Sequence, residues 1–235
     1  MRLARPEGRY WKVAHRGASA LAPENSLAAL EAALAAGVDM VELDVVVVDG
    51  ALRLSHSAAQ LSPGSPTLGE ALALFAERAP ASVWLDLDVK TAGVEPALVE
   101  ALAAQELLGR TLVTSFHAEV LRSVRSLDSG LATGRSYPND RFGLSERRAF
   151  APFVTPGLYV LRQALPWRIG RMLAAVEADA ATLHHALVTP RLVERCHRAG
   201  ALVFAWTVES GEDFRRVLAA GADGVIANDP SLFDD

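Results

Sequence analysis

A single cysteine, Cys196, is all the chain carries, so no intrachain disulfide can form. Its setting in the helix-like run RLVERCHRAG marks it as a small core or surface thiol rather than a nucleophile. Basic residues are in deficit: 23 Lys and Arg face 28 Asp and Glu, for a formal net charge of −5. No basic tract gathers what positive charge there is, which excludes a nucleic-acid partner, because binding a phosphate backbone needs a clustered basic excess. Long apolar runs are missing too. None approaches the length of a membrane span, and the arginines of MRLARPEGRYWK are not followed by the apolar stretch of a signal peptide. These absences predict a cytoplasmic protein with no stable membrane insertion.

What the sequence has in quantity is alternation. Short β-branched or apolar runs fall at 12–15, 40–48, 82–89, 111–116, 131–136, 181–185, 201–208 and 224–228, eight strand candidates in all. Between them lie SLAALEAALAAG, LGEALALFAERA, EPALVEALAAQELL, AEVLRSVRSL, RMLAAVEA, PRLVERCHRAG and EDFRRVLAAG, each with apolar residues at helical spacing and several ending in Gly. Strands and helices alternate instead of segregating, which predicts a parallel (β/α)8 TIM barrel, with a doubly wound open sheet as its competitor. No composition shift or Gly/Ser linker divides the chain, so residues 1–235 read as one domain. Residues 137–170 break the rhythm with Pro, Arg and aromatics, and predict an irregular or helical excursion after the fifth strand candidate, a possible lid. After the second strand there is no room for an insertion domain.

In such a barrel the chemistry sits at the C-terminal ends of the strands, and the polar residues fall there. His15 and Arg16 end the first candidate; Glu42 and Asp44 lie two apart on the second; Asp86, Asp88 and Lys90 are spaced by two along the third. A period of two puts each set on one face, the lumen. Carboxylates crowded into a low-dielectric lumen repel one another unless a cation neutralises them, and all-oxygen donors suit Mg²⁺ or Ca²⁺, with Mn²⁺ also possible, better than zinc. The His-x-His motif of zinc-type barrel hydrolases is absent. Lys12 and Lys90 are the only lysines, so a lysine inside a barrel strand stands out as a compact ammonium. Phe116 and Trp206 are candidates to wall a bound substrate, although aromatic strand residues usually just pack.

At this point the residues carry a resemblance. HRGASALAPENS, GVDMVELDVVVVDGALRLSHS, LDLDVK, TSFH, AWTVE and GADGVIANDP stand in the order and spacing of the glycerophosphodiester phosphodiesterase family, over nearly the whole chain. The resemblance implies metal-dependent hydrolysis of small-molecule glycerophosphodiesters to glycerol 3-phosphate and an alcohol. It implies Glu42, Asp44 and Asp88 as metal ligands, His15 and His56 as the catalytic imidazoles in acid and base roles, and Arg16 and Lys90 as holders of phosphate oxygens. The chain departs from the family pattern at Ser57, where Asp usually follows the second histidine, and at Asp88, where Glu is common. It departs again at Glu209 and Ala227, where WTVN and a Thr are frequent.

Two other functions compete. The loop GADGVIAND followed by Pro also suits the phosphate site of a phosphosugar isomerase or synthase. Ser57 and Asp88 also fit a catalytically degenerate barrel that binds phosphodiesters without turnover. Within the resemblance itself, Glu24 to Ser26 reads most simply as a helix start capped by Asn25 or Ser26, and Asp86 as a hydrogen-bonded acid beside the metal ligands. His117, His184, His185 and His197 read as loop, core or surface residues.

Overall fold

The computed structural model describes residues 3–5, 8–62, 64–138 and 151–234, with the side chains of 151–156 and 158 outside that set. Its strands are β1 (Trp11–Ala14), β2 (Met40–Val48), β3 (Ala51–Leu54), β4 (Trp84–Val89), β5 (Thr111–Ser115), β6 (Ala132–Tyr137), β7 (Ala180–His184), β8 (Leu202–Trp206) and β9 (Gly224–Ala227). All but β3 run parallel, and pairing of β1 with both β2 and β9 closes them into an eight-stranded barrel. Around it pack α1 (Leu27–Ala35), α2 (Leu68–Arg78), α3 (Glu95–Ala104), α4 (Ala118–Leu127), α5 (Ala151–Ala174), α6 (Pro190–Arg198) and α7 (Gly211–Ala219). The expected (β/α)8 barrel is what the chain forms. Among the described residues no helix is long and apolar enough to cross a membrane.

Alternation along each strand splits the apolar residues into two cores. Val41, Leu43, Leu85, Leu87, Val113 and Val203 point outward into the layer between sheet and helices. Trp11, Val13, Met40, Trp84, Phe204 and Ile226 point inward and plug the lower lumen. One pleat higher the same inward rows turn polar at Glu42 and Asp86, and two pleats higher at Asp44 and Asp88. The register sets Glu42 beside Asp86 and Asp44 beside Asp88 on neighbouring strands. The apolar plug therefore forms the floor on which the polar layer rests. Helix starts are fixed by side-chain caps: Ser26, Thr67, Thr189 and Ser210 each accept from the backbone N–H three residues on, a contact worth about 1 kcal/mol.

Two differences from the sequence reading matter for the site. The run at 40–48 continues into an antiparallel hairpin, with Val45 opposite Leu54 and Val48 opposite Ala51. Asp49 and Gly50 form its turn, both at positive φ (51° and 76°), the conformation for which Asp-Gly is a favoured pair. That adds β3, which the eight-strand reading lacked, and β3 carries the chain to His56. The excursion expected at 137–170 follows β6 and is helical over α5; the part that would form a lid, 139–150, lies outside the described residues.

Candidate active site

The first turn after β1 is built from residues that must bend sharply. Arg16 sits at φ 54° and Gly17 at φ 75°, and a Cβ on Gly17 would meet the backbone of Ala29 at 2.6 Å, so only glycine fits there. Glu42 clamps this turn from below: its Oε2 accepts the Arg16 N–H at 2.8 Å, and its carbonyl accepts the Gly17 N–H at 2.9 Å. The His15 ring and the Arg16 guanidinium are thereby both held over the lumen.

Asp44, 1% exposed, is the hub of the upper layer. Its Oδ1 lies 2.6 Å from Lys90 Nζ, while its Oδ2 meets Arg16 Nε at 3.1 Å and His56 Nδ1 at 3.4 Å. Asn25 grips it twice, donating from Nδ2 to Oδ2 and accepting the Asp44 N–H on Oδ1, both at 2.9 Å. Lys90 also pairs with Asp88 Oδ2. One oxygen each of Glu42, Asp44 and Asp88 lie within 4.8 Å of one another. Asp88 Oδ1 is buried and has no hydrogen-bond partner, an orphaned acceptor of the kind a bound cation satisfies.

The charges in this layer strain against one another. Burial, followed by the neighbouring Asp44, pushes the Glu42 carboxyl well above its usual range. Burial raises Asp88 as well, against the pull of Lys90. Asp44 goes the other way, because Lys90, the contact with His56 and Arg16 together outweigh its burial and hold it well below the ordinary carboxylate range. Lys90 is raised by Asp88, Asp44 and Glu42 in spite of burial. An all-oxygen trio with one protonation-prone member and one orphaned oxygen fits a hard divalent cation.

The two imidazoles are held by different kinds of partner. Asn228 Oδ1 accepts at 2.7 Å from His15 Nδ1, leaving Nε2 without its proton and facing the Glu42 side of the lumen, 3.9 Å from Oε2. Burial, then the adjacent Arg16, lowers the His15 ring to about 4, so it is neutral in ordinary buffers. His56 Nδ1 lies 3.1 Å from Arg16 Nη2. The same Nδ1 lies 3.4 Å from Asp44 Oδ2, so it stands between a guanidinium that only donates and a carboxylate that only accepts.

The site candidates His15, Arg16, Glu42, Asp44, His56, Asp88, Lys90, Phe116 and Trp206 come to this end of the barrel. Phe116 and Trp206 meet edge to face at 6.1 Å, with Lys90 Nζ 5.5 Å over the Phe116 ring. Lys90, expected to hold phosphate, pairs with the carboxylates of Asp44 and Asp88. Asp86 accepts from Thr114 Oγ1 at 2.8 Å and stays outside the trio. The helix start falls as read, capped by Ser26, and Asn25, at φ 55°, holds Asp44 besides. The sequence reading missed Asn25, Asn228, Ser19 and Glu209 as parts of the site; the left-handed tolerance of asparagine just before a cap was the one signal available for the first. His15, Arg16, Glu24, Glu209 and Asn228 line a cleft of about 440 Å³. Elsewhere His197 bonds Asp223 at 2.7 Å and His185 lies 3.1 Å from Asp213, both structural pairs.

Fold and site together define a parallel (β/α)8 barrel with clustered carboxylates, two imidazoles and a guanidinium at the C-terminal ends of its strands. Comparison with known proteins names the class. Residues 15–63 and 97–232 match the glycerophosphoryl diester phosphodiesterase family, and the chain belongs to that family of hydrolases. It is 28% identical to the glycerophosphodiester phosphodiesterase of Caldanaerobacter subterraneus subsp. tengcongensis, over 93% of each chain. Among solved structures, the Oleispira antarctica phosphodiesterase OLEI02445, in complex with the product sn-glycerol-3-phosphate, shares the fold with a TM-score of 0.72 at 23% identity, covering 96% of this chain and 97% of that one. The Thermotoga maritima glycerophosphodiester phosphodiesterase does so with a TM-score of 0.70 at 21% identity, covering 97% and 99%. Family membership sets aside the phosphosugar isomerase reading.

Proposed function

We propose that this protein hydrolyses glycerophosphodiesters to glycerol 3-phosphate and an alcohol, using a divalent metal held by Glu42, Asp44 and Asp88 and the imidazoles of His15 and His56. The observation that carries this reading is the convergence of that trio, within 4.8 Å, with both rings and the Arg16 guanidinium at one end of a family barrel. Bound there, Mg²⁺, Ca²⁺ or Mn²⁺ supplies Lewis-acid stabilisation of charge on the phosphoryl oxygens. The protein's own groups do the rest. Arg16 offers positive charge to the diester from the cleft wall. The bare Nε2 of His15 accepts the proton of the attacking hydroxyl, and His56, as the imidazolium, donates its Nε2 proton to the departing alkoxide and is left neutral. Lys90 steadies Asp44 and Asp88 and adds its charge to the phosphate-facing layer. Phe116 and Trp206 wall the organic part of the substrate. The proposal includes a cytoplasmic, membrane-free and nucleic-acid-free setting, in keeping with the acidic charge balance.

The test is release of glycerol 3-phosphate from glycerophosphocholine and glycerophosphoethanolamine, with excess chelator and after adding back Mg²⁺, Mn²⁺ or Ca²⁺. Chelation is expected to abolish turnover, and Asp88→Ala to weaken the metal requirement's affinity strongly. Full turnover in chelator would overturn the metal site. Phosphodiester binding with no turnover under any metal would instead establish the degenerate, binding-only barrel.

A further inference from the structure

We propose that Glu209 and Asn228 act as positioning residues that fix which ring nitrogen of His15 carries the proton. This inference rests on the reading of His15 as the proton acceptor. The argument begins at the outer end of the chain of contacts. An ionised carboxylate can only accept hydrogen bonds, so the Asn228 atom 2.9 Å from Glu209 Oε1 must be the donating Nδ2. That choice turns the amide so that Oδ1 faces inward. There it accepts from Ser19 Oγ at 3.0 Å and meets His15 Nδ1 at 2.7 Å. An amide oxygen cannot donate. The ring proton must therefore sit on Nδ1, which leaves Nε2 bare, the tautomer opposite to the one that free neutral histidine favours.

Without a fixed outer partner, the Asn228 amide has no such polarity: turned over, it would present Nδ2 to the ring and draw the proton to Nε2. Glu209 removes the alternative. Among the described residues no Lys, Arg or His lies within ion-pair distance of Glu209, so its contact with Asn228 is not incidental to a salt bridge. The position is also set by the fold. Asn228 follows β9 directly, its backbone carbonyl accepts the Ala20 N–H at 3.1 Å, and β9 pairs with β1 along its whole length.

The experiment reads the tautomer itself. Two-bond ¹H–¹⁵N correlation of the histidine rings in labelled protein, with and without metal, distinguishes a protonated from a bare nitrogen. Wild-type protein is expected to show Nδ1 protonated and Nε2 bare for His15. Asn228→Ala should move the proton toward Nε2 and lower kcat by roughly 10- to 100-fold with little change in KM, the usual scale for losing an orienting partner. Asn228→Asp combined with Glu209→Gln should restore both, because the carboxylate again accepts from Nδ1 and the glutamine amide satisfies it from outside. Glu209→Lys, at an exposed position, provides a variant that leaves the core untouched: an ammonium only donates, so the Asn228 amide should reverse and the proton move to Nε2. A wild-type ring protonated on Nε2, or an unchanged Nδ1 proton in Asn228→Ala and Glu209→Lys, would overturn the proposal. If the tautomers behave as stated while wild-type protein turns over no glycerophosphodiester, the functional reading fails and the positioning survives.

Discussion

Replacing Lys90 by Met keeps most of the side chain's length and volume and removes one charge from the most crowded electrostatic layer of the protein. The ammonium lies 2.6 Å from Asp44 Oδ1, pairs with Asp88 Oδ2 as well, and is only 15% exposed. At an effective dielectric constant of about 20, a single contact at that distance is worth ~6 kcal/mol of Coulomb attraction before desolvation is counted. Desolvation cancels much of this in the intact pair, but removing one partner leaves the other charge buried and uncompensated, at a cost of about 3–5 kcal/mol. Asp44, Asp88 and Glu42 would then face one another without the cation. In metal-free protein at pH 7, urea or thermal unfolding should register that loss, on the order of 10 °C in Tm for a chain of this size. Adding Mg²⁺ or Ca²⁺ should return part of it, about 2.7 kcal/mol at a hundredfold excess over Kd. A chelated Lys90→Met protein as stable as wild type would refute the reasoning, since it would mean that the trio tolerates its own repulsion.

Arg16→Lys retains the charge but cannot reach Glu24 at 2.7 Å, His56 at 3.1 Å and Asp44 at 3.1 Å together, so kcat/KM on glycerophosphocholine should fall by more than tenfold; unchanged kinetics would remove Arg16 from the phosphate site. His56→Asn should lower turnover by roughly 10²- to 10⁴-fold while metal binding survives, and a p-nitrophenyl ester, whose leaving group needs no proton, should recover much of that rate if His56 is the acid. For pH, His15 is depressed in the folded state to about 4 from an ordinary 6.5. The unfolded chain therefore binds the extra proton first, and metal-free stability should fall as pH drops from about 6.5 toward 4, by on the order of 3 kcal/mol across that window. A His15→Gln protein with the same acid-side slope would show that another group is responsible.

The barrel and the carboxylate layer were readable because both follow from periodicity. Residues 42 and 44, and 86 and 88, share a face in any strand, and adjacency of those strands is enough to bring the acids together. Lys90 was marked by its rarity, but its pairing with both Asp44 and Asp88 depended on those two residues lying directly across from each other on neighbouring strands. β3 was hidden within a long apolar stretch although its Asp-Gly turn was in plain view, and with it went the reason His56 can reach Asp44. Asn25 and Asn228 were beyond reach for a different reason. Each works through a loop conformation and a partner distant in sequence, Asp44 19 residues on and His15 213 residues back.

That last separation bears on how much of the chain the site needs. The hydrogen bond from His15 to Asn228 joins the strand laid down first to the strand laid down last, and β1 has β9 along one flank over its full length. A chain cut before residue 224 carries Glu42, Asp44 and Asp88, all supplied by residues before 90, yet its first histidine has no seam to lean on. A proteolytic nick that frees the last strand would likewise take Asn228 from His15 while leaving the three carboxylates on the remaining chain.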